Sequence, residues 1–337
     1  MRYFFTSIAV SATTILVLCN YGCAGQAMNE VLAQMPEYRP ESDIPNNDWH
    51  NEERVTIRGY SADAMEIGIS QDGRHLLFND QNEPDKDMHW AERIDDTTYQ
   101  YKGKIGNTVS QAVDGTPSFD AAGNLYFTSL KSYPKDIRTI NRAEFKDGVA
   151  LKPIPIDGDI YITGRNKIGK ELWVSLDPDA SDDGTFLFYS EGRFCPGVGF
   201  PYPFKVRGAR KVDGKYLKID DRILANINTG SMEYAPAISS NGLELFFARI
   251  GKMKGRPKFI GIFVARRESV LEPFSRPNKI MAITGDVEAP VLSGDENHLY
   301  YHRMDGGRFM VYRVTRKESK MQTFEPGAQA DANRPRR

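Results

Sequence analysis

Two groups of ligand-type side chains stand out in this sequence. Asp177-Pro-Asp179-Ala-Ser181-Asp182-Asp183 sets oxygens at alternate positions, the spacing that begins a calcium loop. Its sixth position is Asp182 where such a loop needs glycine, and its twelfth is Phe188 where it needs glutamate. The stretch reads first as an acidic turn, and Asp177, Asp179 and Asp183 are kept as its metal candidates. His298 and His302 stand four apart, so a strand would carry both on one face. At the usual strand rise that is about 13 Å, too far for one shared ion. His302 alone stays a candidate for ligand contact. No cofactor is expected.

Nucleophilic chemistry has little support. No Gly-x-Ser-x-Gly elbow occurs, and no hydrolase domain follows the repeats described below. Cys195 sits in Glu191-Gly-Arg-Phe-Cys-Pro-Gly-Val-Gly-Phe-Pro-Tyr-Pro203 with no base near it in sequence. That segment is better suited to recognition. Arg193, Phe194, Phe200 and Tyr202 combine a guanidinium with apolar ring faces, which suits sugars or protein partners. A basic segment, Arg249-Ile-Gly-Lys-Met-Lys-Gly-Arg256, adds Arg249 to the contact candidates.

The elements that must hold these residues are announced by a repeat. Tyr234-Ala-Pro-Ala-Ile-Ser-Ser-Asn-Gly-Leu-Glu-Leu-Phe-Phe247 is its clearest copy, and others lie near 63–80, 114–129, 175–190 and 287–302. Each reads as one β-hairpin. A proline (Pro117, Pro178, Pro236, Pro290; Ile67 in the first copy) opens a strand where its missing N–H costs least. Ser70, Asp120, Ser181, Ser239 and Ser293 then begin a tight turn by bonding its backbone. Gly73, Gly123, Gly184 and Gly242 supply a positive φ. Glu296 stands there in the last copy, so a different turn is expected. The second strand ends on Phe78, Phe127, Phe188, Phe247 or Tyr301. The turns are 50, 61, 58 and 54 residues apart, a spacing that allows one four-stranded sheet per repeat.

Proline, Ser/Asp, glycine and aromatic recurring together resemble the WD40-like PD40 repeat of the propeller in TolB and its relatives, over roughly residues 60 to 315. The resemblance implies an all-β chain forming a single β-propeller with four-stranded antiparallel blades. Five blades are expected, with six as the alternative. The propeller would occupy 51–315. Arg54-Val-Thr-Ile-Arg58 would complete the last blade and leave no exposed sheet edge at the seam. TolB carries a whole α/β domain before its propeller, for which this chain has no room, and that departure counts against a role in the Tol system. Propellers of this size also include glycosidases that set two or three carboxylates in the central funnel. By that reading Asp114, Glu233 and Glu288 would be the catalytic candidates, drawn from a rim that also holds Asp63, Glu66 and Asp286.

The flanks are simpler. Residues 1–25 have Arg2 as their one charge, an apolar run from Ile8 to Leu18 and small residues at Cys23-Ala-Gly25, which reads as a signal peptide. Gly22-Cys23 leaves lipidation of Cys23 open, and with it a lipid anchor as the one membrane contact. Residues 26–50, rich in proline and asparagine, read as a tether or loosely packed arm; 316–337 read as a polar, disordered tail. The 337 residues carry 44 basic and 45 acidic groups, a net charge of −1, so nothing drives nucleic-acid binding. A mean hydropathy of −0.50 argues against a polytopic membrane protein.

The expectation is an exported, monomeric, non-catalytic propeller in a bacterial periplasm or at the outer membrane, binding a protein or glycan of the envelope. A glycosidase-like enzyme and a sensor of a small ligand or ion are the alternatives.

Overall fold

The computed structural model describes residues 33–80, 86–110, 112–162, 172–194 and 204–317, the side chains of residues 172 and 194 excepted. Three short strands come first, β1 (Ile44–Asn46), β2 (Trp49–Arg54) and β3 (Thr56–Arg58). Blade one is β4 (Met65–Ile69), β5 (His75–Asn79), β6 (Met88–Arg93) and β7 (Thr98–Lys104). Blade two is β8 (Asp114–Phe119), β9 (Asn124–Ser129), β10 (Ile140–Lys146) and β11 (Val149–Pro155). Blade three is β12 (Leu172–Ala180), β13 (Phe186–Phe194), β14 (Lys205–Val212) and β15 (Lys215–Lys218). Blade four is β16 (Met232–Ile238), β17 (Glu244–Met253), β18 (Arg256–Arg266) and β19 (Asn278–Ile280). Blade five is β20 (Val287–Leu292), β21 (His298–Asp305) and β22 (Arg308–Arg316), with β2 as its outer strand. The first strands of the blades touch in cyclic order, β4 to β8 to β12 to β16 to β20 and back to β4. The chain is a five-bladed β-propeller, and the six-bladed alternative falls away.

The closing strand differs from the expected one. Blade five is completed by β2, with Trp49 opposite Arg316 and Arg54 opposite Tyr312. Of the expected segment 54–58, Arg54 pairs with Tyr312 and the Val55 amide donates to the Val311 carbonyl at 2.9 Å. Strand β3 then pairs in parallel with β7 of blade one. Upstream, β1 pairs in parallel with β19 of blade four. The stretch expected to be a loose arm is, from residue 33 onward, laid against blade four, where the Tyr38 amide donates to the Lys252 carbonyl.

The hairpin turns follow the sequence logic in all five blades. The amide at the glycine position donates to the carbonyl of the Ser/Asp three residues before, at 2.7 to 3.0 Å. Glu296 makes the same bond to Ser293 at 2.8 Å with φ +57°, so the fifth turn is the common one held by a strained residue. Its side chain offsets part of that cost by accepting from the Ser240 amide at 2.6 Å.

The prolines sit deeper than a strand opening. Each first strand slips register at two residues, and Pro117, Pro178, Pro236 and Pro290 are the second of them. A bulge leaves one residue outside the ladder, so a missing N–H is harmless there. The residue before has positive φ in every blade: Glu66, Thr116, Asp177, Ala235 and Ala289, between +46° and +54°. The aromatics closing the second strands lie at the blade seams, where Phe78, Phe127, Phe188, Phe247 and Tyr301 are at most 2% exposed. One seam cluster joins Phe246 and Ile262 of blade four to Leu299 and Val314 of blade five. Another joins Phe78 of blade one to Tyr300 and Val311 of blade five.

Candidate active or binding site at the channel mouth

The five bulges lie around the axis, at the end where the first strands begin. A bulge re-aims its side chain, and here it turns Glu66 and Asp177 into the central channel, which Tyr234 and Glu288 also line. The cavity at this mouth is small, about 50 Å3. Carboxylates dominate its polar wall, and Lys86 lies close by with its Nζ 3.5 Å from Glu66 Oε2. Lys86 is buried.

Glu288 is held from one side. The Tyr234 hydroxyl donates to its Oε2 at 2.7 Å. Its other oxygen, Oε1, faces His302 Nε2 at 3.8 Å, beyond hydrogen-bond reach. The Glu66 amide donates to His302 Nδ1 at 3.1 Å, so that nitrogen carries no proton and Nε2–H points at Glu288. Both facing atoms are buried without a hydrogen-bond partner among the described residues. The pair is an opposing donor and acceptor with a gap between them.

Asp177 carries the clearest electrostatic signature. Burial pushes its carboxyl up to about 7, nearby Glu66 adds to the rise, and the Ser190 hydroxyl, Lys86 and the Ala235 amide oppose it. Farther down the channel, burial also raises Asp179 to about 7, against bonds from Ser118 at 2.6 Å and the Ile238 amide at 2.7 Å. Both side chains reach water only through the narrow channel, so partial surface exposure and strong desolvation coexist there. Asp183 lies beyond, on the exposed turn, where Ser181 and Thr185 bond it. Of the three metal candidates, Asp177 and Asp179 line the channel and Asp183 does not. Among the described residues, no group of three or more His, Cys, Asp or Glu side chains is placed to hold a metal ion.

The other expected residues are dispersed. Asp114 and Glu233 stand three residues before their blade's proline and Glu288 stands two before, so strand alternation sends them to different sides. Glu233 is fully buried and bonded by Arg249 Nε at 2.9 Å and Thr229 Oγ1 at 2.5 Å. Arg249 stacks over Phe263, 4.4 Å from the ring centroid, beside a cavity of about 250 Å3 under the N-terminal arm. Asp114 faces a separate cavity beside blade two, where Ser110 donates to it at 2.5 Å. The glycosidase candidates Asp114, Glu233 and Glu288 therefore do not converge. Arg193 lies on β13 opposite Trp173. The Phe194 side chain, Phe200, Tyr202 and Cys23 lie outside the described residues.

Tyr234 and Lys86 escaped the sequence reading, and Glu66 entered it only as one rim acid among several. A usable signal existed: Glu66 and Asp177 hold the repeat position directly before Ile67 or the proline. That position looks like strand, so its bulge geometry was invisible.

No protein-family model matches the chain, and no curated protein does. Among solved structures, an endo-arabinase from Bacteroides thetaiotaomicron is similar at 14% identity and a TM-score of 0.49, over 80% of this chain and 99% of that one. A family 117 glycoside hydrolase from Zobellia galactanivorans is similar at 11% identity and 0.48, over 80% and 91%. TolB from Acinetobacter baumannii is similar at 13% and 0.38, over 75% of this chain and 55% of that one. The five-bladed architecture stands on the strand pairing itself.

Proposed function

We propose that this chain is an exported binding scaffold that holds a protein or another envelope component across the face carrying the channel mouth. The supporting observation is the mouth itself. Its cavity of about 50 Å3 is well below the ~300 Å3 at which small-molecule sites begin, so it suits one projecting group of a larger partner. Glu66, Asp177 and Glu288 outnumber Lys86 there, which favours a positively charged group. The rigid blades fix these side chains, and the surrounding loops supply the rest of the contact.

The test is capture from an envelope extract by immobilised protein. The wild type retains a partner that the combined Glu66→Gln, Asp177→Asn, Glu288→Gln variant releases. Equal retention by both removes the mouth as the binding site.

One observation favours a second reading. Four carboxylates on the first strands of blades one, three and five (Glu66, Asp177, Asp179 and Glu288) share a cavity. Burial raises two of them, Asp177 and Asp179, to about 7, as a general acid requires. In that reading Asp177 donates the proton and Glu66 or Glu288 serves as base or nucleophile towards a glycoside. Hydrolysis of aryl glycosides by the wild type, lost in Asp177→Asn, would replace the scaffold reading.

A further inference from the structure

Off the axis, beside blade two, lies a cavity of about 300 Å3, six times the volume of the mouth. It reaches the lower bound of small-molecule sites. Its walls are the β7–β8 connection, the β9–β10 connection and the outer strands of blade two. Most of what they present is short and uncharged: Asn107, Ser110, Ser129, Ser132 and Asn141. The charges balance. Asp114 faces Lys131, and Arg138 is tied to Asp136 at 2.8 Å.

Asp114 is the acceptor at the centre of this wall. It is 2% exposed. An ionised carboxylate has about four acceptor positions. Ser110 fills one and Ser129 another. No other side-chain donor reaches it among the described residues, so two positions are left for whatever enters the cavity. A ring with adjacent hydroxyls supplies two donors at that spacing. Its remaining hydroxyls meet the amides and serines, and its C–H face meets Phe127, Pro153 and Pro155.

We propose that this cavity binds a neutral polyhydroxylated ring of monosaccharide size, with Asp114 accepting from two vicinal hydroxyls. The site is separate from the channel mouth and does not depend on the scaffold reading. Burial pushes Asp114 up to about 6; Ser110, Ser129 and Lys131 oppose this and Asp87 adds to it. Hydroxyl donors favour the ionised form, so affinity falls as pH drops through that value.

The experiment is calorimetric titration of the full mature chain with D-glucose, D-galactose and D-mannose. Cyclohexanol, a ring of the same size without a vicinal diol, is the control. At least one hexose saturates at neutral pH and cyclohexanol does not. Asp114→Asn weakens binding by about tenfold, as loss of a charged acceptor does. Ser132→Trp blocks the exposed rim and abolishes binding while leaving the interior intact, so it decides the matter if Asp114→Asn fails to fold. Glu288→Gln leaves affinity unchanged, which separates this site from the mouth. Absence of saturable hexose binding at neutral pH overturns the proposal, as does binding that survives Ser132→Trp.

Discussion

Asp179 is a carboxyl whose surroundings favour its neutral form. Its folded value, raised by burial to about 7, lies above the ~3.9 of an unfolded aspartate. Between those values the folded state holds the extra proton, so stability falls as pH rises through the window. Each unit is worth about 1.4 kcal/mol, and channel water reduces that, giving an expected swing of about 2 kcal/mol. Asp179→Asn removes the titration. Its melting temperature relative to wild type is therefore higher at pH 8 than at pH 5, and an identical difference at both contradicts the assignment. Arg249 and Glu233 make the opposite case, a buried pair that is costly to break from one side. Arg249→Met leaves buried Glu233 bonded by Thr229 but without its countercharge and costs about 3–5 kcal/mol, whereas adding Glu233→Gln recovers most of it. Urea unfolding of the two single variants and the double variant measures the coupling.

At the scale of the strand, the bulge before each proline places the channel-facing side chains. Ala235 and Ala289 hold φ of +48° and +50° without contributing a polar group to the mouth. Ala289→Gly is therefore expected to stabilise by about 1 kcal/mol, since glycine bears no Cβ penalty there. A loss of stability would mean that the alanine methyl packs more than it strains. The hairpins were readable because proline, Ser/Asp, glycine and aromatic each have a local physical reason to sit where they do. Even Glu296 fits the common turn. The bulges were not readable, because a slip of one residue leaves no mark on hydrophobic alternation. Asp114 and Glu233 stand three residues before their proline and Glu288 two, all ahead of the bulge, so alternation alone separates them. That offset was legible in the sequence, and a reading that placed all three on one rim passed over it. The closing strand was missed differently: Trp49-His-Asn-Glu-Glu-Arg54 has one apolar residue, and long-range pairing to β22 decides its fate.

For the whole molecule, β2 completes blade five, and its Trp49 packs into the seam between blades four and five. Trp49 is 2% exposed, meets Phe246 edge-on at 5.8 Å and lies under Arg316 at 4.5 Å. Trp49→Ala costs about 3–5 kcal/mol, and denaturant unfolding followed by circular dichroism reads it. The flanking strands β1 and β3 extend the same dependence to blades four and one, so residues 44–58 stitch three successive blades. This has a consequence for the order of events during synthesis. The strands that lock the ring are made early, and their partners β19 and β22 are made last. Until the fifth blade emerges, β2 has no neighbour, so the ring closes only once β22 is present. A chain that ends before β22 is an open stack of blades, so the fold itself checks that the fifth blade has been made.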